Sequence, residues 1–112
     1  MTKSVYILFI AFIIACSPKT VSFTNSDVER AASKFPESTM ATLTEGHAHY
    51  KKYCGSCHPY KAPSAKNEDQ WKTIIPKMVA NANKKEGKQV ITPKMEQEIL
   101  TYVVTMSTAP KK

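Results

Sequence analysis

The sequence predicts an all-α protein, and three observations carry that expectation. Two long stretches place apolar residues at three- and four-residue intervals. The starts of both are marked, one by a capping box and the other by a threonine followed by proline in the first turn. No stretch alternates apolar and polar residues in the manner of a half-buried strand, and no internal repeat is found. At 112 residues the chain is expected to hold one small domain with tails.

The elements follow in chain order. Residues 1–15 carry one charge, Lys3, ahead of an apolar run of 11 residues from Val5 to Ala15. A bilayer span needs about twenty apolar residues, so the run reads as the hydrophobic region of an export signal. It ends in "IIAC", Ile13 to Cys16, which resembles the lipobox of bacterial lipoprotein signals. That resemblance implies cleavage before Cys16 and a lipid on its thiol, each buried methylene contributing about 0.8 kcal/mol to anchoring. Ordinary signal cleavage nearby, or a retained short anchor with Cys16 incidental, are the plainer readings. Residues 16–40 are polar and are expected to serve as a lipidated N-terminus and flexible tether. A short helix within "SDVERAASKF" is expected to be capped by Ser26 or Asp27.

The compact domain is expected over 41–108, followed by a basic tail over 109–112. Its first helix, capped by Thr42 or Thr44, carries Leu43, Gly46, His47, Tyr50 and Tyr53 and runs up to Cys54. The second opens with a capping box between Asn67 and Gln70, with Glu68 and Asp69 in its first turn. Trp71, Ile74, Ile75, Met78, Val79 and Ala82 then lie along one face, and Pro76 is expected to kink or split it. The third opens at Thr92 with Pro93 where a missing amide is harmless, and Met95, Ile99, Tyr102, Val103 and Met106 form a core stripe. The lysine-rich stretch 83–90 connects the last two, with Gly87 for a turn. A unit of about 70 residues buries little surface and usually carries a staple.

The segment that could supply one is "CGSCH", Cys54 to His58. Two thiols three positions apart followed directly by a histidine is the pattern for covalent attachment of c-type haem. Each thiol adds to one vinyl group, and the imidazole of His58 reaches the iron. Rival readings of the same residues are a thioredoxin-like redox pair, a zinc site recruiting His47 or His49, and a plain disulfide. The first lacks its strand–helix–strand setting, the second lacks a second CxxC, and the third leaves His58 without a role.

With these residues in view, 41–108 resembles a small single-haem cytochrome c domain of the class I kind, closest to short lipoprotein-type members with a tryptophan–isoleucine–methionine helix such as "WKTIIPKM". The resemblance implies a cytochrome c-like fold with three main helices around one covalent haem c. It implies that Gly46 and Tyr50 pack across Tyr102 of the last helix, and that a methionine sulfur is the second axial ligand. Met78 is the expected ligand and Met95 the alternative. Met40 is expected to precede the core, and Met106 to be packing. A two-histidine site through His47 or His49 is a further alternative. Trp71 is expected to be the largest core hydrophobe and a haem contact, its indole N–H available to a propionate.

The net charge is +7. Loss of the leader with Lys3 lowers it to about +6, and two propionates to about +4, which favours acidic partners. Lys51, Lys52, Lys61, Lys66 and Lys72 are expected to be solvated face residues that, as a group, ring an exposed haem edge and steer a redox partner. A single arginine, Arg30, and the absence of an aromatic-flanked basic stripe speak against nucleic acid. The expectation is a lipid-anchored electron carrier of the bacterial cell envelope, facing the periplasm, with redox proteins as partners and no small-molecule substrate, hence no enzyme. A haem-based sensor or gas-binding module with a weak or open sixth position is the alternative, and a haem-free interaction lipoprotein a third.

Overall fold

The computed structural model describes residues 22–55, 59 and 61–110. Among them the protein is all-helical, with four α-helices and no strand. They are α1 (Asn25–Lys34), α2 (Met40–His49), α3 (Glu68–Glu86) and α4 (Pro93–Ser107). A π-helical turn, Tyr50–Cys54, continues α2, and a 3-10 turn, Pro63–Ala65, precedes α3. No helix among the described residues is long and apolar enough to cross a membrane.

Three of the four helix starts are reciprocal capping boxes, in which a side chain accepts from the amide three residues on while the residue there returns a bond to the cap's own amide. Asn67 and Gln70 form one, with both bonds at 2.9 Å. Thr92 caps α4 by accepting from the Met95 amide, with Pro93 in the first turn. The first compact helix starts earlier than expected. Thr39 is the cap, and Thr42 is its reciprocating partner rather than a cap itself, so Met40 opens α2 as an exposed residue ahead of Leu43, the first buried one.

Pro76 does not split α3, which runs 19 residues without interruption and ends at Gly87 in the left-handed region. The proline and Lys72, whose carbonyl loses its helical donor, both lie on the exposed face. Water can therefore satisfy the freed oxygen.

The centre of the molecule is α4, which packs against α1, α2 and α3 and makes its most extensive pairing with α2. Ile99, Tyr102 and Val103 are buried as their spacing predicts, with Met95 and Met106 half-buried against the same core. Thr101, Val104 and Thr105, outside the expected stripe, are buried as well. The additional cover includes α1, which packs against α4. The tether expected over 16–40 thus gives way to packed structure by Phe23, which is 8 % exposed, and Ala31 is fully buried. Thr24, rather than Ser26 or Asp27, caps α1, and Asp27 returns the bond to the Thr24 amide at 2.8 Å. Burial acts to raise the Asp27 carboxyl, but hydrogen bonds from the Thr24 amide, Arg30 and the Thr24 hydroxyl outweigh it and hold the group below its usual value. An ion pair from Lys34 to Glu68 ties the end of α1 to the start of α3. The hydrogen bonds from Lys34 and Lys72 lower the Glu68 carboxyl, and its bond raises Lys72.

One further clamp was not visible in the sequence. The Asn83 side chain accepts from the amides of Val90 and Ile91, each at 2.9 Å, and donates to the Ile91 carbonyl at 3.2 Å. These bonds fix the lysine-rich connection and seat Ile91, which is 1 % exposed, in the core.

Candidate functional site

The candidate site begins where α2 crosses α4. A Cβ on Gly46 would lie 2.1 Å from the Glu98 carbonyl oxygen and 2.9 Å from Tyr102 Cβ. Glycine is therefore what allows the two backbones to touch there. One turn on, Tyr50 is 1 % exposed and its ring lies 5.8 Å from that of Tyr102. Gly46 and Tyr50 thus oppose Tyr102 across the α2–α4 contact.

From Tyr50 the backbone widens into the π-helical turn that ends at Cys54, a buried residue. Single π turns inside helices are frequent at functional sites. A Cβ on Gly55 would lie 2.7 Å from the Lys51 carbonyl oxygen, so the turn that leads out of Cys54 is built around a residue without a side chain. Cys57 and His58, the expected second attachment point and iron ligand, lie outside the described residues, as does the expected lipidation site Cys16.

Tyr50 also lines a cavity of about 350 Å³, together with Lys61, Lys66, Trp71, Ile74 and Met78. Trp71, Ile74 and Met78 fall at i, i+3 and i+7 of α3, one helical face. Two buried polar groups fix its rim. The Tyr50 hydroxyl donates to the Lys61 carbonyl and the Trp71 indole N–H to the Pro63 carbonyl, both at 2.8 Å. The Trp71 N–H, expected to be available to a propionate, is thereby committed to backbone. The Tyr50 and Trp71 rings stand edge to face, 6.0 Å apart. Of the two candidate sulfur ligands, Met78 lines this cavity, while Met95 lies in the first turn of α4 and packs on the core.

The other expected participants are distributed differently. His47 packs edge-on against both Phe23 and Tyr102, with ring centroids at 6.2 and 5.1 Å. Burial there, with Lys51 nearby, lowers its pKa below the ordinary 6.5. His49 faces Glu98 and Glu45, its Nε2 at 3.5 and 3.7 Å from their carboxylates. Both imidazoles are thus engaged with residues of α4. Lys61 and Lys66 border the cavity, Lys72 pairs with Glu68 at 2.7 Å, and Lys52 sits 5.1 Å from the centre of the Tyr53 ring. Lys51 is exposed. The sequence reading missed the Lys61 and Pro63 carbonyls as anchors, since nothing in residue type marks a backbone acceptor.

Comparison with protein-family models, with curated proteins and with solved structures returns no match for this chain.

Proposed function

We propose that the chain is a monohaem c-type cytochrome with a cytochrome c-like fold, acting as a one-electron carrier on a membrane-tethered lipoprotein. The observation that carries this reading is the "CGSCH" segment, Cys54 to His58. Its first cysteine closes a π-helical turn that starts at Tyr50, and Tyr50 forms one wall of an aromatic and thioether-lined cavity. That wall suits a flat aromatic macrocycle: two ring side chains, an isoleucine and a methionine supply apolar contact, and Lys61 and Lys66 on the rim supply cations for its carboxylates.

Cys54 and Cys57 would attach the haem, His58 would ligate the iron, and Trp71 would pack beside it. Met78 is the preferred sixth ligand over Met95 because it lines the cavity. A histidine–methionine iron centre supplies reversible one-electron transfer, with a potential raised by the soft sulfur. The protein's own part is to exclude water with Tyr50, Trp71 and Ile74, to hold the rim through the Lys61 and Pro63 carbonyls, and to fill the sixth position. A filled position leaves no room for substrate, so the proposed role is carriage rather than catalysis. The exposed lysines near the motif would steer acidic redox proteins. The leader ending in Cys16 would hold the protein at the bacterial envelope, facing the periplasm.

Four measurements test this. Intact mass and a pyridine haemochrome assay of chain exported with haem-maturation machinery are expected to give one covalent macrocycle, and its absence overturns the reading. In the ferric protein Met78→Ala is expected to abolish the weak far-red sulfur-to-iron band. Survival of that band in Met78→Ala and its loss in Met95→Ala would transfer the ligand role. Inertness of the reduced protein toward carbon monoxide is the expected result for a carrier, whereas rapid binding would favour a sensor.

A further inference from the structure

We propose that Glu45, His49 and Glu98 form a binding site for one divalent first-row transition ion, with zinc as the test case, that ties α2 to α4. The proposal does not depend on what the "CGSCH" segment carries. Glu45 and His49 are four apart on α2 and share a face. Glu98 reaches them from α4 at the position where its own carbonyl touches Gly46. His49 Nε2 lies 3.5 Å from Glu98 Oε2 and 3.7 Å from Glu45 Oε2, and the three ligand atoms all fall within 4.8 Å of one another. A tetrahedral ion with bonds of about 2.0–2.1 Å holds its ligand atoms about 3.3–3.4 Å apart, so small side-chain adjustments complete the geometry.

A second observation points the same way. Glu98 is only 9 % exposed, and its Oε2 has no hydrogen-bond partner although it is aimed at His49 Nε2. At 3.5 Å that approach is too long for a good hydrogen bond, and a buried carboxylate oxygen without a partner is costly. The other charged group nearby, Lys94 Nζ, is 3.7 Å from Oε1 and lies on a side chain that is 88 % exposed. It leaves Oε2 to the His49 side. A dication between two carboxylates and an imidazole would balance the local charge, satisfy Oε2 and leave a fourth position for water. One nitrogen and two oxygens suit zinc and its neighbours, whereas magnesium and calcium prefer six or more oxygens. Because the ligands come from two helices, binding would be coupled to folding.

The rival arrangement is direct contact among Glu45, His49 and Glu98 with no metal. Isothermal titration of the chelator-treated, full mature chain with zinc chloride at neutral pH separates the two. The expected result is one saturable site and a melting temperature raised on the order of 10 °C at about a hundredfold excess over Kd, with no response to magnesium. Glu45→Gln, His49→Gln and Glu98→Gln should each weaken binding by at least the roughly tenfold that loss of an outer-shell partner costs. Glu45 is 59 % exposed at its side chain, so Glu45→Gln is expected to fold and keeps the test valid if Glu98→Gln does not. No saturable binding, or equal affinity in the Glu45→Gln and wild-type chains, would overturn the site.

Discussion

Tyr50 takes part in two regions built on opposite principles. In one, α2 and α4 meet so closely that the Glu98 carbonyl occupies the space a side chain on Gly46 would need. In the other, Tyr50, Trp71, Ile74 and Met78 wall a cavity of about 350 Å³. The first is closed by direct backbone contact, and its energy comes from dense packing. The second is held open by directed bonds, from the Tyr50 hydroxyl to Lys61 and from the Trp71 indole to Pro63. The difference teaches that close packing and directed hydrogen bonding can meet at one tyrosine. Substitutions at the α2–α4 crossing should cost the most folding energy, and those along the cavity wall less.

The largest expected effect is at the crossing. Gly46→Val should cost about 4 kcal/mol or leave the chain unfolded, since a backbone carbonyl cannot move aside as a flexible side chain can. Chemical denaturation of the mature protein measures it, and a cost below about 1 kcal/mol would show that the helices separate easily. Next is Trp71→Phe, which deletes the bond to Pro63 and leaves part of a buried ring's space unfilled, for about 2 kcal/mol. The same denaturation curves check it. Met78→Ala should cost about 1 kcal/mol in chain without a cofactor, because the side chain is only half-buried. A much larger loss would mean that the cavity wall is part of the closed core.

The smallest effect is a pH dependence. The folded state holds His47 below the ordinary 6.5 because its half-buried ring packs against Phe23 and Tyr102, with Lys51 adding to the effect. Its stabilising contribution is therefore complete above about 6.5 and is lost as the pH falls, since the unfolded chain takes up the proton first. Melting temperature measured from pH 7 down to 5 should fall less steeply in His47→Asn than in the wild type. Identical slopes would show that the ring is solvated enough to titrate normally.

Local signals were legible where both partners sit within one turn. The Asn67–Gln70 box and the Thr92 cap with Pro93 are i, i+3 events, and the structure has them at the expected residues. The misses at Thr39 and Thr24 are errors of frame. Each true cap has its reciprocating partner three residues on, and in both places that partner, Thr42 or Asp27, is itself a residue type that caps helices. The Gly46, Tyr50 and Tyr102 contact, implied by resemblance, is present as geometry. The Asn83 clamp and the carbonyl anchors of Tyr50 and Trp71 were not legible, because their partners are backbone atoms seven to eleven residues away.

By itself the sequence determined that the described chain is helical, where α3 and α4 begin, which face of α3 bears Trp71, Ile74 and Met78, and that Cys54 to His58 is its most distinctive motif. Only the tertiary structure decided that α1 belongs to the core, that α4 is covered on more than its expected stripe, and that Glu98 is buried opposite His49. The reason is physical. Periodicity reports what one helix offers along its own axis, whereas burial depends on which neighbour arrives. For α4 that neighbour includes a segment whose thin apolar face, Phe23 and Ala31, gains its meaning only by contact.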